Sequence, residues 1–239
     1  MAFPVVVTTN ESAVSTAGTS HAVTLPTGIG PGDLILILCD KGTPAASDWS
    51  FNALAGWTEL LDENVTNGIT MWYRVSDGTE GATVTFTSAQ AIRSAHTSYR
   101  ISGHESPAIQ APQLSTVATG TSASPNATTC TPTGGAKDYL WITMFGQAGE
   151  QADDDTLTTV TPTGYSNPIE KTCGVAGTNL GGMIASAEQQ LNAASQDASA
   201  WTSSDATAWR AYTIAVHPAP PPVWAMMTWS FDPNAIRPI

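Results

Sequence analysis

A chain of 239 residues that is 41% hydrophobic and only 12% charged has enough apolar material for a packed core, which excludes a disordered composition. Its net charge of −12 disfavours binding to nucleic-acid backbones and to anionic membrane surfaces. No run approaches the roughly 18 apolar residues of a membrane span, and the opening MAFPVVVTTNES lacks the basic and apolar regions of a secretory signal.

The first strong signal in chain order is Pro26-Thr27-Gly28, a turn that leads through Asp33 into the apolar run from Leu34 to Cys39. Such a run predicts a strand buried on both faces. Gly56-Trp57 predicts a second turn followed by an aromatic plug. Ile69, Met71, Tyr73 and Val75 alternate along the next strand, and Val84 and Phe86 alternate with threonines along the one after it. Asp77-Gly78 between these two strands predicts a tight hairpin. The strand that follows places Ala95, Thr97, Tyr99 and Ile101 on one face, with polar His96, Ser98 and Arg100 on the other.

The second half of the chain repeats this pattern. Pro132-Thr133-Gly134, Asp138 and the apolar run from Tyr139 to Phe145 match the first turn and strand at an offset of 105 to 106. Gly164-Tyr165 matches Gly56-Trp57 at 108, and residues 209–217 match residues 96–104 at 113. The offset grows only in connecting segments, as expected when strands are kept and loops drift. Residues 185–194 contain helix formers, but the repeat places them opposite residues 71–75 and so predicts a strand. Residues 106–125 align with the start of the chain and predict the first strand of the second copy. The fold class is therefore all-β: a jelly-roll-like β-sandwich built from two diverged repeats, 1–105 and 106–217. Two separate sandwiches are the alternative to one compact domain.

After His217 the composition changes to Pro218-Ala-Pro-Pro-Pro222, an extended spacer, and then to a cluster of bulky apolar residues. Residues 218–239 are expected to form a Pro-rich spacer and a hydrophobic arm that docks on a neighbouring subunit. Its candidate docking residues are Trp224, Met226, Met227, Trp229, Phe231, Ile236 and Ile239. Folding back onto the same sandwich is the alternative.

Little in the sequence points to chemistry. Cys39, Cys130 and Cys173 are odd in number and lack CxxC spacing, which predicts neither a disulfide framework nor a zinc site. Cys39 is expected to be a buried small hydrophobe in a chain that folds in a reducing cytoplasm, and the Asn-x-Ser/Thr triplets at Asn10, Asn64 and Asn126 are then chance matches. His104 and His217 end equivalent strands, where a structural role bonding a loop carbonyl is expected. No GxSxG elbow supports a hydrolase triad. Asp153, Asp154 and Asp155 form the densest acidic run but lack the spacing of a calcium loop. Together with Asp62, Glu63, Asp77 and Glu80, they are expected to be solvated loop acids. The tryptophans, among them Trp49 and Trp57, are expected mainly in the core. No catalytic, cofactor or metal site is predicted.

The segments Pro26 to Leu34, Gly56 to Thr58, Trp72 to Glu80 and Tyr99 to Gly103 together resemble a widespread group of tailed-bacteriophage structural proteins. The resemblance covers most of the first copy and, more weakly, the second. It implies a virion β-sandwich, often multimeric and made in the host cytoplasm. The expected role is non-enzymatic: a capsid decoration or cement protein, or a head-fibre subunit, held by its C-terminal arm. Its partners would be other virion proteins and further copies of itself. The alternative is a tail-fibre or receptor-binding module that recognises cell-surface glycans through Trp49 or Trp57.

Overall fold

The computed structural model describes residues 1–42, 50–65, 67–148, 161–174, 181–204 and 206–221. Strands β1 (Val5–Thr24), β2 (Leu34–Gly42), β3 (Thr58–Asp62), β4 (Ile69–Val75) and β5 (Thr83–Ser102) form one sheet, in the order β1-β5-β2-β4-β3. Strands β6 (Gln113–Leu114), β7 (Ala118–Gly120), β8 (Lys137–Ala148), β9 (Ser166–Thr172), β10 (Gly182–Ala193) and β11 (Trp209–Val216) form a second, in the order β6-β11-β8-β10-β9, with β7 also paired to β11. The ladders are antiparallel throughout.

Matching the strands by position in each half (β1 with β6, β2 with β8, β3 with β9, β4 with β10, β5 with β11) converts one sheet order into the other. The halves therefore neither interleave nor make two sandwiches: each supplies one layer of a single sandwich. The layers meet through Leu34, Leu36, Leu38, Met71 and Tyr99 of the first sheet and Leu140, Ile142, Met144, Ile184 and Ile214 of the second. Full burial of each such side chain contributes about 1.5–3 kcal/mol.

The residues between these inward positions are also covered. Ile35, Ile37 and Cys39 on the outer face of the first sheet pack with Phe51, Trp72 and Phe86. Tyr139, Trp141, Phe145 and Ala211 on the outer face of the second pack with Ala127, Ala198 and Trp201. This double coverage explains the near-continuous apolar runs of β2 and β8.

The cover on the first sheet comes from its own edge. β1 and β5 are each 20 residues long, and their register shifts between Val14 and Ser20. There the two-stranded ribbon bends back over the sheet. Thr24 N donates to Ser12 Oγ at 3.0 Å, and Ser98 Oγ donates to the Thr24 carbonyl at 2.8 Å. The predicted polar face of β5 is consequently buried: His96 and Ser98 are both fully enclosed.

Residues 185–193 belong to strand β10, in line with the repeat and against their helix-forming composition. One predicted turn has a different role. Gly78 does take a positive φ of 85°, but β4 pairs with β2 and β3 while β5 pairs with β1 and β2. Asp77-Gly78 therefore begins a crossover past the end of β2, not a hairpin.

Candidate functional site

The predicted docking residues, from Trp224 to Ile239, lie outside the described residues, as do Trp49 and Asp153, Asp154 and Asp155. The described chain ends next to the join between the halves. Pro218 bridges to His104, Ala219 N donates to the Gly103 carbonyl at 2.9 Å, and Glu105 N donates to the His217 carbonyl at 2.8 Å. The two strand-end histidines are thus neighbours with different surroundings. His104 places Nδ1 2.6 Å from its adjoining Glu105 carbonyl and Nε2 3.0 Å from the Gly32 carbonyl. His217 is buried edge-on to Tyr139 at 5.0 Å, and neither ring nitrogen has a hydrogen-bond partner. Burial, with Lys137 nearby, lowers its pKa to about 4.

Three polar groupings carry the electrostatics of the sandwich. The first corrects the expectation that Asp62 and Glu63 are solvated loop acids. Lys41, on the outer face of β2 and fully buried, makes an ion pair with Asp62 and donates to the Glu63 carbonyl at 2.7 Å. Asp62 also accepts from Thr70 Oγ1 at 2.5 Å and from Phe51 N at 3.2 Å. Glu63 accepts from Ile69 N and holds Arg210 of β11 at 2.8 Å, which ties one sheet to the other. Burial pulls the Lys41 pKa down, and the hydrogen bond and charge of Asp62 oppose it.

Next to this cluster, Asp40 points between the sheets. A methyl on Gly146 or Gly182 would collide with its carboxyl, so glycine at both positions is what lets β8 and β10 approach. Burial pushes the carboxyl pKa well above the usual range, with Lys41 opposing and Glu63 adding to the shift. Burial in this seam thus favours the uncharged form of the Asp40 carboxyl.

The second grouping corrects Glu80, whereas Asp77 is an exposed loop acid as expected. Arg74 pairs with Glu80 at 2.8 Å and with Asp77 at 2.7 Å, and Ser76 Oγ donates to Glu80 at 2.5 Å. Glu80 is nearly buried and organises the β4–β5 crossover.

The third is a chain of serines and histidines beneath the folded-back ribbon. His96 Nδ1 is 3.1 Å from Ser12 Oγ, and its Nε2 is 2.8 Å from Ser94 Oγ. His21 Nδ1 is 2.7 Å from the same Ser94 oxygen, and its Nε2 is 2.9 Å from Ser88 Oγ. Burial lowers the pKa of His21 to about 4, with the Gly18 backbone opposing, and that of His96 to about 3, with His21 adding to the effect. Sequence reading passed over this chain. Its one signal was the recurrence of Ser94, His96 and Ser98 at period two inside a strand whose other face is core.

Chemically, these groups hold elements together. Ser88 and Ser94 are buried and Ser12 is half-buried, and each has its oxygen committed to an imidazole. Among the described residues no three His, Cys, Asp or Glu side chains converge as metal ligands. The exposed large hydrophobic residues among them are aliphatic: Met1, Val5, Val7, Val65, Val75, Ile109 and Val117. Trp57 is half-buried, 6.0 Å edge-on from Phe86, while Trp72, Trp141 and Trp201 are fully enclosed. An open groove of about 450 Å³ runs between Thr58, Tyr73 and Arg74 on one side and Ser106 to Ala108 on the other.

No protein-family model, curated protein or solved structure matches this chain.

Proposed function

We propose that this chain is a non-enzymatic structural protein of a tailed-bacteriophage virion: a capsid decoration or cement protein, or a head-fibre subunit. It would assemble with other virion proteins and further copies of itself, docking through residues 223–239. The observation that carries the reading is that the motif residues behind the resemblance bind one another as a framework. Asp33 of the first motif takes Arg100 of the last at 2.6 Å, and Arg74 and Glu80 join within the third. Gly28, Gly56, Gly78 and Gly103, one in each motif, all occupy positive φ, where only glycine is free of strain. Such a signature specifies a scaffold, as a structural protein needs. The exit of the chain supports the docking role. Pro218 and Ala219 are pinned beside Gly103 and His104, and the bulky apolar residues follow a stiff spacer from that fixed point.

Deletion of residues 218–239 tests the reading. The truncated chain should fold but fail to enter particles, and antibody-gold labelling of complete particles should place the full chain on the head. Unchanged incorporation would overturn the docking role, and labelling confined to the tail would overturn the head assignment.

A further inference from the structure

The serine–histidine chain under the β1–β5 ribbon has a single consistent proton arrangement. Ser88 donates to the Gln90 carbonyl at 2.7 Å, so its oxygen accepts from His21 Nε2. His21 Nδ1, left without a proton, accepts from Ser94. Ser94 has then used its proton and accepts from His96 Nε2. His96 Nδ1 accepts from Ser12, whose oxygen also takes the Thr24 N–H. Every proton in the chain points the same way, both imidazoles are neutral, and each has both nitrogens engaged.

This chain joins three pieces that fold back on one another. Ser12 lies on the first half of β1, Ser94 and His96 on the central part of β5, and His21 and Ser88 on the folded-back half of the ribbon. The bend lies where the β1–β5 register shifts, at Val14, Gly18 and Ser20, a natural place for local opening. Beneath it is the apolar layer of Phe51, Trp72 and Phe86, with Phe51 edge-on to His21 at 4.9 Å. On β2, Cys39 lies beside His96 and Lys41 beside Ser94. Lys41 sits 5.6 Å over the Phe51 ring and is neutralised by Asp62 of β3. Arg93 of β5 donates to the Ser15 carbonyl at 2.7 Å. Among the described residues the surroundings thus offer the imidazoles hydroxyls, the Gly18 backbone and cations, and no hydrogen-bonded carboxylate.

We propose that the Ser12–His96–Ser94–His21–Ser88 chain is a proton-operated latch, which on acidification releases the folded-back half of the β1–β5 ribbon and bares the layer beneath it. An added proton can enter either ring only at Nδ1, where a serine hydroxyl already donates. Donor then faces donor, and two cations would share one serine in an apolar layer. Opening lets water solvate both rings. Because each released histidine recovers an ordinary proton affinity, the opening equilibrium rises by about tenfold per histidine for each pH unit below roughly 6.5.

Hydrogen exchange of the full chain, followed by mass spectrometry and corrected for intrinsic rates, tests the latch between pH 7.5 and 4.5. Peptides covering residues 12–24 and 83–94 should lose protection with a slope near two protons, while β8 and β10 stay protected. A flat response of the ribbon, or simultaneous loss in every strand, would overturn it. His21→Gln supplies a non-titrating amide that can accept from Ser94 and donate to Ser88, and it should reduce the slope to about one proton; an unchanged slope would also overturn the latch. If that variant does not fold, the imidazole nitrogen shifts of the unaltered protein decide the matter. Both rings must be neutral and protonated on Nε2 at pH 6, and a charged ring there would refute the arrangement.

Discussion

The Asp40 carboxyl on β2 fills the place that a side chain on Gly182 of β10 would need, and both of its oxygens are buried without a hydrogen-bond partner. The two residues specify each other. A methyl on Gly182 forces either the acid or the strand to move, so Gly182→Ala should cost about 1–3 kcal/mol, the usual range for overpacking a dense interior. Removing the acid relieves the collision, so the same substitution should cost much less in an Asp40→Ala background. Urea unfolding of the four proteins gives the coupling energy directly. Additive effects would mean that the contact does not constrain the seam.

Asp40 also makes stability depend on pH in an unusual sense. In the unfolded chain its carboxyl ionises near 3.8, whereas in the folded protein it stays protonated well above that. Over the interval between, the folded state holds the extra proton, and stability falls as pH rises by about 1.4 kcal/mol per unit. His21 and His96 act oppositely. Their folded affinities are depressed to about 4 and about 3, so their contribution is complete above 6.5 and is lost as pH falls through those values. Asp40→Asn removes only the first effect. The difference between wild type and variant should grow in the variant's favour as pH rises above the unfolded value near 3.8. Parallel stability curves would show that the acid is ionised in the seam.

The contrast between Asp40 and the runs around it shows what could be read from sequence. The β2 run was legible because six apolar residues in succession have few uses besides a doubly covered strand. The turns at Gly56 and Gly164 were legible because both take a positive φ, which favours glycine. The burial of His96 was not, because its cover is residues 20–24 of the same ribbon, brought back by a bend with no local signature. The Asp77-Gly78 turn misled for a related reason: turn chemistry is local, whereas β4 lies beside β2 through pairings set far away in the chain. Asp62 and Glu63 looked like loop acids because their partners, Lys41 and Arg210, are 21 and 147 residues distant.

The three cysteines should be inert in the folded protein. All are buried as free thiols, and burial pushes the Cys130 pKa to about 11 and raises those of Cys39 and Cys173 as well. Reactivity follows the exposed thiolate, which none of them supplies near neutral pH. An aromatic disulfide reagent at pH 7.5 should therefore titrate almost no thiol in the native chain and all three after denaturation. Rapid reaction of one thiol under native conditions would locate a part of the sandwich that opens readily.

Lys41 should be among the costliest residues of the first sheet to replace. Its ammonium is enclosed, paired with Asp62 and bonded to the Glu63 carbonyl, and its charge lies over Phe51. Lys41→Met keeps most of the apolar stem but leaves Asp62 as a nearly buried anion. Breaking a buried pair from one side usually costs about 3–5 kcal/mol, most of it from the stranded charge. Asp62→Asn in the same chain removes that charge while still accepting from Thr70, so the double variant should recover a substantial part of the loss. If the single and double variants unfold at the same urea concentration, the stranded carboxylate is not the source of the cost. The loss would then have to come from the ammonium's other contacts, its bond to the Glu63 carbonyl and its place over Phe51.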